Sequence, residues 1–294
     1  MSRSARERLF ALLFILPAAF LVFSTVVYPI FVIIQGSFHT DRILRLRYDS
    51  PMTLKNYEAF FSDIRSARVL AVTALYMAIA TGCAFLLGFI FSLLLNQRFR
   101  GRGIARGLAL LPWVVPASIA ALLWLMLIDA EIGPVNALIA RTGLLPPRTS
   151  WLVDQTTAFA GVCLASIWKT FPFFTIVLLA GLQAIPQELY EAAEVDGAGW
   201  WARLRHITIP GLRSVIAVGF MLVGLWTLRD FTIIFVMTEG GPAGATETLG
   251  LHAYVHAFQF FRMGYAAAVG VITLIVAIGL AAISLRLGGK QFVG

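Results

Sequence analysis

Six apolar segments, each long enough to cross a bilayer as an α-helix, constrain this chain more than any other feature. They lie at about residues 9–36, 69–95, 107–128, 156–183, 214–237 and 264–285. A helical span needs about 20 apolar residues, and a helix satisfies its backbone polar groups internally. Hydrophobic residues make up 59% of the 294 positions and charged residues only 13%, too few for a soluble surface. We therefore expect an all-α membrane protein with six transmembrane helices in one transmembrane domain, 1–294.

The distribution of basic residues predicts how these spans are oriented. The formal net charge is +8, but much of it lies in short segments between apolar runs, which favours a membrane surface over nucleic acid. Six spans place both termini on one side, with the loop 96–106 and the polar segment 186–210. That side is richer in Lys and Arg, including Arg3, Arg6, Arg8, Arg98, Arg100, Arg102 and Arg106. It is therefore predicted to be cytoplasmic, although the outer loop 38–68 also holds Arg42, Arg45, Arg47, Lys55 and Arg65.

The polar segment 186–210 has its own local pattern. Pro186 is well placed to begin a helix, and helix-forming residues fill 187–194. Gly197 and Gly199 then weaken the helix, and a second short run, 200–207, stops before Pro210. The segment is predicted to form two short helices around a glycine break at the membrane surface. From composition alone, a solvated loop that only joins two spans fits equally well.

Three charged residues, Lys169, Arg229 and Asp230, lie within predicted spans. A charged side chain at the bilayer centre costs about 2.5–3.5 kcal/mol on insertion scales, so each requires a partner or a hydrated cavity. One interpretation is an ion pair between helices, or side chains that reach the outer surface. The other is a solute path, with Trp226 on the same helical face as Arg229 and Asp230. An aromatic ring beside polar groups suits a sugar, which stacks its C–H faces on rings.

Cysteine and histidine give little sign of a metal site. Cys83 and Cys163 lie inside apolar runs, where small core residues are a simpler interpretation than a disulfide or zinc cluster. His252 and His256 are spaced four residues apart, as metal ligands on a helix can be. No third ligand is suitably placed, so we expect a surface helix face and no metal.

The chain also lacks the signatures of an enzyme. Glu188 and Glu191 could be an acid pair for glycoside hydrolysis, but they lie in the polar segment without a pocket. No G-x-x-x-x-G-K-[ST] loop occurs in the sequence, so the chain does not bind ATP as a P-loop protein does. We therefore predict no catalytic residue and no cofactor on this chain.

The polar segment closely resembles a known motif. The run EAAEVDGAGWWARLRHITIP is similar to the EAA loop of the membrane-spanning subunits of ABC importers, E-A-A-x-x-D-G-A followed by I-x-L-P, with Ile209 in place of the usual Leu. In that family the loop is a coupling helix that docks into a groove on an ATP-binding subunit. The resemblance implies that ATPase coupling depends on Glu191, Ala192, Ala193, Asp196, Gly197, Ala198, Ile207 and Pro210.

A second region resembles the maltose-type permeases of this class. The runs Arg229-Asp230-Phe231, Thr238-Glu239-Gly240-Gly241-Pro242 and Thr246-Glu247-Thr248-Leu249 are similar to that family's N-D-F-D, T-x-G-G-P and T-E-T-L. Thr232 stands in place of the second Asp of that pattern. The resemblance and the intramembrane charges together give five candidate residues of a substrate path: Trp226, Arg229, Asp230, Thr232 and Lys169.

The resemblance implies a type I ABC importer permease in the cell (inner) membrane. Its implied partners are a second permease of the same family, two ATP-binding subunits that carry ATP and Mg, an extracytoplasmic solute-binding protein, a carbohydrate solute and membrane lipid. Alternatives are a secondary transporter driven by an ion gradient, an importer of a non-sugar solute, and an integral membrane enzyme. A secondary transporter would need no EAA loop and usually shows repeated halves. A membrane enzyme would need a cluster of His and acids at one membrane face, which the sequence lacks.

Overall fold

The computed structural model describes residues 14–40, 50–144, 146 and 148–288, and within them regular secondary structure is entirely helical. The N-terminal arginines Arg3, Arg6 and Arg8, the outer-loop arginines Arg42, Arg45 and Arg47, and the start of the first predicted span lie outside the described residues. The first half contains α1 (Phe14–Ser37), α2 (Lys55–Ser62), α3 (Ile64–Asn96), α4 (Arg102–Val114), α5 (Ala117–Leu127) and α6 (Pro134–Arg141).

The second half contains α7 (Gln155–Ala184), α8 (Gln187–Val195), α9 (Trp200–Gly211), α10 (Arg213–Leu228), α11 (Thr232–Thr238), α12 (Leu249–Tyr254) and α13 (Met263–Gly288). Residues Leu204–Thr208 of α9 form a π-helical turn, and a similar turn, Val255–Gln259, continues α12. The expected all-α fold is confirmed for the described residues.

In the part of the chain that the structure describes, four helices are long and apolar enough to cross a membrane: Phe14–Ser37, Ile64–Asn96, Gln155–Ala184 and Met263–Arg286. Two further pairs meet the same criterion when taken together, with bends of 100° between α4 and α5 and 63° between α9 and α10. By length and composition, the described residues therefore contain four candidate spans, or up to six when each bent pair counts as one.

Two of the predicted spans are interrupted at places where the apolar pattern alone would continue the helix. The third predicted span bends by 100° around Val115 and Pro116, because proline lacks an N–H and forces the preceding residue out of the helical region. The fifth predicted span is also interrupted: α10 ends at Leu228 and α11 begins at Thr232. Arg229 and Asp230 therefore lie between two helices and not on one regular helix.

The basic loop is shorter than the sequence indicates. The segment 96–106 was expected to be a loop, but α3 extends to Asn96 and α4 begins at Arg102. Arg102 and Arg106 consequently lie on the first two turns of α4, and only residues 97–101 connect the helices. Gly101 has φ of +85°, a conformation that glycine adopts without a Cβ penalty, and it makes this tight connection possible.

The chain divides into two compact units, one of which comprises residues 67–251 and 274–294. Within this unit α7 is the most buried of the long apolar helices. Gly88 of α3 is packed so closely against α7 that an added Cβ would overlap the Cβ of Phe174 and the carbonyl oxygen of Phe171. Cys163 of α7 is buried, but Cys83 of α3 is exposed, so the expectation that both are core residues is wrong for Cys83.

The other unit comprises residues 1–66 and 252–273. There the buried Asn56 amide donates to the carbonyls of Ser37 and His39 at 3.0 and 2.8 Å. His252 is 0% exposed, and its Nε2 lies 3.1 Å from the Tyr265 hydroxyl. The expected surface face for His252 and His256 is therefore wrong, because both rings pack against Tyr265. Among the described residues, no group of three or more His, Cys, Asp or Glu side chains is placed to hold a metal.

Candidate functional site

The polar segment forms a helical hairpin whose turn explains the order Asp-Gly-Ala in its sequence. Helix α8 follows Pro186 and ends at Val195, with Asp196 as its C-cap. The N–H of Ala198 donates to Ala193 O at 2.8 Å, and that of Gly197 to Glu194 O at 3.1 Å. These two bonds form a Schellman motif, which requires a left-handed residue after the helix. Gly197 supplies it with φ of +76°, so a glycine is required at this position of the motif.

The motif residues lie together on an exposed surface. No residue of α8 is buried, and Glu191, Ala192, Asp196 and Gly197 are all exposed. Val195 is 89% exposed and Trp201 is 74% exposed. Apolar side chains this open, with carboxylates beside them, are typical of a surface that a partner covers. We call the exposed residues 191–201 the coupling face.

The two helices of the hairpin are joined to each other by side-chain contacts. The Tyr190 hydroxyl is 3.0 Å from Thr208 Oγ1, and Arg203 forms a 3.3 Å ion pair with Glu194. Leu204 and Thr208 are buried. Ile207 is half-buried and Pro210 exposed, so of the eight predicted coupling residues these two lie at the base of the hairpin, away from its turn.

The base of the hairpin also meets α7 through a glycine. A Cβ on Gly181 would lie 2.7 Å from Leu212 Cδ2 and 3.1 Å from Val215 Cγ2. Leu212 is fully buried. The base of the hairpin is therefore in close contact with the long helix α7 and continues directly into α10.

The predicted substrate-path residues are distributed over two places in the same unit. Asp230 follows α10, and its Oδ2 accepts a 2.8 Å hydrogen bond from the Tyr76 hydroxyl of α3. Its carboxylate is also stabilised electrostatically by the backbone N–H of Ile233, in the first turn of α11. Arg229 is exposed and Thr232 is the first residue of α11. Tyr76 was not singled out from the sequence, because a tyrosine within an apolar run is unremarkable by itself.

The hydrogen-bonding partner of Lys169 is a backbone carbonyl and not the carboxylate that an ion pair between helices would require. Its Nζ donates to the carbonyl oxygen of Val115, in the bend between α4 and α5. Since Pro116 interrupts the helix there, this carbonyl is free to accept a side-chain donor. The Lys169 ammonium and the Asp230 carboxylate attract each other through space. Lysine and aspartate are thus both provided with neutral hydrogen-bonding partners within the apolar region.

Trp226 stands on the last turn of α10 and is 38% exposed. Its ring meets that of Phe173 edge to face, with centroids 4.6 Å apart, and Phe173 lies 6.1 Å from Trp113. Edge-to-face contact leaves a face of a ring free to stack on a ligand. The sequence predicted that Trp226 shares a helical face with Asp230, but α10 ends between them.

Long apolar helices, whose charged residues Lys169 and Asp230 are hydrogen-bonded at helix breaks, are typical of an integral membrane protein. Residues 84–288 match the family described as "Binding-protein-dependent transport system inner membrane component". The chain belongs to this family, and the expected membership of the ABC importer permeases is confirmed.

Two relatives with assigned transport systems align over almost the whole chain. The trehalose/maltose transport system permease protein MalF of Thermococcus litoralis is 34% identical, with 96% of this chain and 95% of that protein aligned. The sulfoquinovosyl glycerol transport system permease protein SmoG of Agrobacterium fabrum is also 34% identical, over 96% of this chain and 91% of that protein.

Solved structures share the fold at lower sequence identity. A chain of a bacterial ABC transporter involved in the import of the acidic polysaccharide alginate superposes with a TM-score of 0.82 at 21% identity, covering 97% of each chain. A chain of the alginate transporter in complex with its pentasaccharide-bound periplasmic protein gives 0.81 at 22% identity, covering 98% of this chain and 96% of that one. These likenesses confirm the type I importer permease fold.

Proposed function

We propose that this chain is the permease subunit of an ATP-driven importer for a carbohydrate or a related solute, which an extracytoplasmic binding protein delivers. The observation that carries the proposal is the coupling face, an exposed helical hairpin with the EAA sequence and large unburied apolar side chains. Family membership supports the transport role. Two relatives are named for transport of trehalose and maltose or of sulfoquinovosyl glycerol, which supports a carbohydrate solute.

The proposed partners follow from the surfaces that the chain exposes and from its family. The coupling face docks into one of two ATP-binding subunits, which hold ATP and Mg. A second permease of the same family completes the path through the membrane. An extracytoplasmic binding protein docks on the opposite side, as supported by the alginate transporter, which was solved with a bound periplasmic protein.

In this proposal the polar hairpin and both termini lie in the cytoplasm. The four arginines at 98, 100, 102 and 106, together with Arg203 and Arg205 of the hairpin, support this orientation, because cytoplasmic loops are enriched in Lys and Arg. ATP binding closes the ATP-binding pair and moves the coupling faces together. Since Gly181 packs tightly on Leu212, this movement tilts α7 and α10 and opens the path outward.

The proposed solute path runs past Trp226 and the polar positions Asp230, Arg229, Thr232 and Lys169. The free face of the Trp226 ring is suited to a sugar ring, and carboxylate and ammonium groups are suited to hydroxyls. Asp230 and Lys169 already have hydrogen-bonding partners, so they line the path without an uncompensated charge in the apolar region.

The proposal is tested by co-purifying the chain with its ATP-binding subunits and measuring uptake in vesicles. Glu191→Lys reverses a charge on the coupling face and should reduce recovery of the ATPase and uptake together. Glu131→Lys is the matched control, because Glu131 is exposed but lies on the side proposed to be external. Normal ATPase recovery and uptake in Glu191→Lys, or uptake that runs on an ion gradient without ATP-binding subunits, would contradict the proposal.

A further inference from the structure

Three arginines line one cavity beside the start of the coupling hairpin. Arg98, Arg102 and Arg106 face a cavity of about 770 Å³, together with Tyr190. No carboxylate is among its lining residues. None of the three arginines forms an ion pair with a residue that the structure describes. Arg106 donates to the Leu95 carbonyl at 3.4 Å, while its buried Nε has no described partner. The cavity is therefore a concentrated positive site that is open to an anion.

The backbone strengthens the same positive site. Helix α4 has 13 residues and begins at Arg102, with Gly101 as its N-cap, no capping side chain and no acidic residue in its first turn. The first N–H groups of a helix have no partner within it and carry the positive end of the helix dipole. Such a helix start favours phosphate-like anions. The guanidinium groups add planar donors that match phosphate geometry.

A second cavity beside the first has a largely apolar surface, although Arg203 is also among its lining residues. It has a volume of about 500 Å³ and is lined by Ile90, Leu93, Leu94, Trp200 and Leu204, among others. The two cavities share Asn96, Leu182 and Tyr190 as lining residues, so they adjoin. A ligand that fills both needs an anionic head and a long apolar tail.

We propose that an anionic phospholipid of the cytoplasmic leaflet binds in these joined cavities, with its phosphate against Arg98, Arg102 and Arg106 and an acyl chain along Ile90 and Leu94. The location favours lipid over a soluble anion, because α3 is a membrane-crossing helix that ends at Asn96. Since Tyr190 and Trp200 belong to the two helices of the hairpin, the lipid contacts both of them. This inference rests on the proposed cytoplasmic placement of the hairpin.

The test counts lipid adducts on the purified full-length chain by native mass spectrometry, alone and bound to its ATP-binding subunits. The probes are dioleoyl phosphatidylglycerol, dioleoyl phosphatidylcholine and inorganic phosphate. We expect phosphatidylglycerol to bind most tightly. A basic residue near an anionic lipid surface is worth about 1 kcal/mol, which is about fivefold in affinity, so the double variant Arg102→Gln with Arg106→Gln should weaken it by about 25-fold.

Matched variants distinguish lipid binding at this cavity from a general effect of positive charge on the protein. The double variant Arg100→Gln with Arg205→Gln removes the same charge from exposed residues outside the cavity and should leave binding unchanged. Arg98→Gln, at an exposed lining residue, should weaken binding by about fivefold even if Arg106 proves necessary for folding. Leu94→Ser should weaken lipid binding because it removes an apolar contact with the acyl chain. Leu86→Ser, at an exposed residue of the same helix, should leave lipid binding unchanged.

Four results would overturn the inference. They are equal binding of the two lipids, an equal effect of the two arginine pairs, binding of inorganic phosphate as tight as that of lipid, and loss of lipid when the ATP-binding subunits assemble. The third identifies a site for free phosphate, and the fourth identifies an interface with the partner protein. Because adducts are counted on the chain itself and ATPase recovery is measured separately, this inference and the proposed function can fail independently.

Discussion

The Tyr76 hydroxyl donates a 2.8 Å hydrogen bond to the Asp230 carboxylate across 154 residues of sequence. Tyr76 is 1% exposed and lies in the middle of α3, whereas Asp230 lies in the break between α10 and α11. This bond joins the second and fifth predicted spans, and it satisfies polar groups that would be costly in an apolar region. Asp230 also lies just before α11, which begins at Thr232, so this carboxylate connects α3 to the break between α10 and α11.

Removing the Tyr76 hydroxyl should destabilise the protein. Tyr76→Phe leaves Asp230 without its side-chain donor, and an unsatisfied buried polar group costs about 1–3 kcal/mol. Asp230→Asn is the informative comparison, because the amide oxygen still accepts from Tyr76 while the negative charge is lost. Thermal unfolding in detergent should show a clear loss of stability for Tyr76→Phe and a smaller loss of stability for Asp230→Asn. A larger loss for Asp230→Asn would instead indicate that the charge itself, facing Lys169, holds the helices together.

The turn of the coupling hairpin offers a test that isolates backbone conformation. An alanine Cβ at Gly197 or at Gly199 would meet no atom within 4 Å. Gly197 has φ of +76°, whereas Gly199 has φ of −66°. Gly197→Ala should therefore strain the Schellman turn by about 1–2 kcal/mol and lower both ATPase recovery and uptake. The ATPase recovery and uptake of Gly199→Ala should remain close to those of the unmodified protein. Equal behaviour of the two variants would mean that the left-handed turn is not needed for coupling.

The proposed orientation is tested by labelling single cysteines, after Cys83 and Cys163 are replaced by serine. Cysteines at the exposed positions Arg100 and Arg205 should react only with reagent on the cytoplasmic side. Cysteines at Glu131 and Val153, also exposed, should react only from outside. All four positions belong to one compact unit. Labelling of Arg205→Cys from outside would reverse the orientation and remove the coupling face from the ATP-binding subunits.

The sequence predicted much of this fold because membrane helices leave strong local signals. The unbroken apolar runs correspond to long helices such as Ile64–Asn96 and Gln155–Ala184. The hairpin was predicted from Pro186 and the two glycines, since their effects on backbone conformation are local. Pro116 also gave a local sign of a break, but its 100° bend depends on how α4 and α5 pack against α7.

The sequence could not predict features that depend on distant partners. The segment Arg229-Asp230-Phe231 contains neither proline nor glycine, so nothing local ends α10 at Leu228. The group that satisfies Asp230 is far away in sequence, and no periodicity identifies Tyr76. Likewise the spacing of His252 and His256 suits an exposed helix face, whereas Tyr265 of another helix covers both rings.

Trp226 provides the sharpest test of the proposed solute path. Its ring is 38% exposed and contacts Phe173 edge to face at 4.6 Å, which leaves aromatic surface for a sugar ring. Contacts of this kind are worth about 0.5–1.5 kcal/mol, so Trp226→Ala should raise the solute concentration for half-maximal uptake about two- to tenfold. Trp226→Phe keeps an aromatic face and should have a smaller effect.

The readout that distinguishes a solute contact from a packing role is the split between concentration dependence and assembly. Trp226→Ala should retain normal ATPase recovery, and stimulation of ATP hydrolysis by the loaded binding protein should persist. Trp201→Ala, at a tryptophan of the coupling face that is 74% exposed, should do the opposite: it should lower ATPase recovery while the half-maximal concentration of the assembled fraction stays the same. If Trp226→Ala instead changes assembly alone, Trp226 packs the helices together through Phe173, and the solute contacts lie on other residues or on the partner permease.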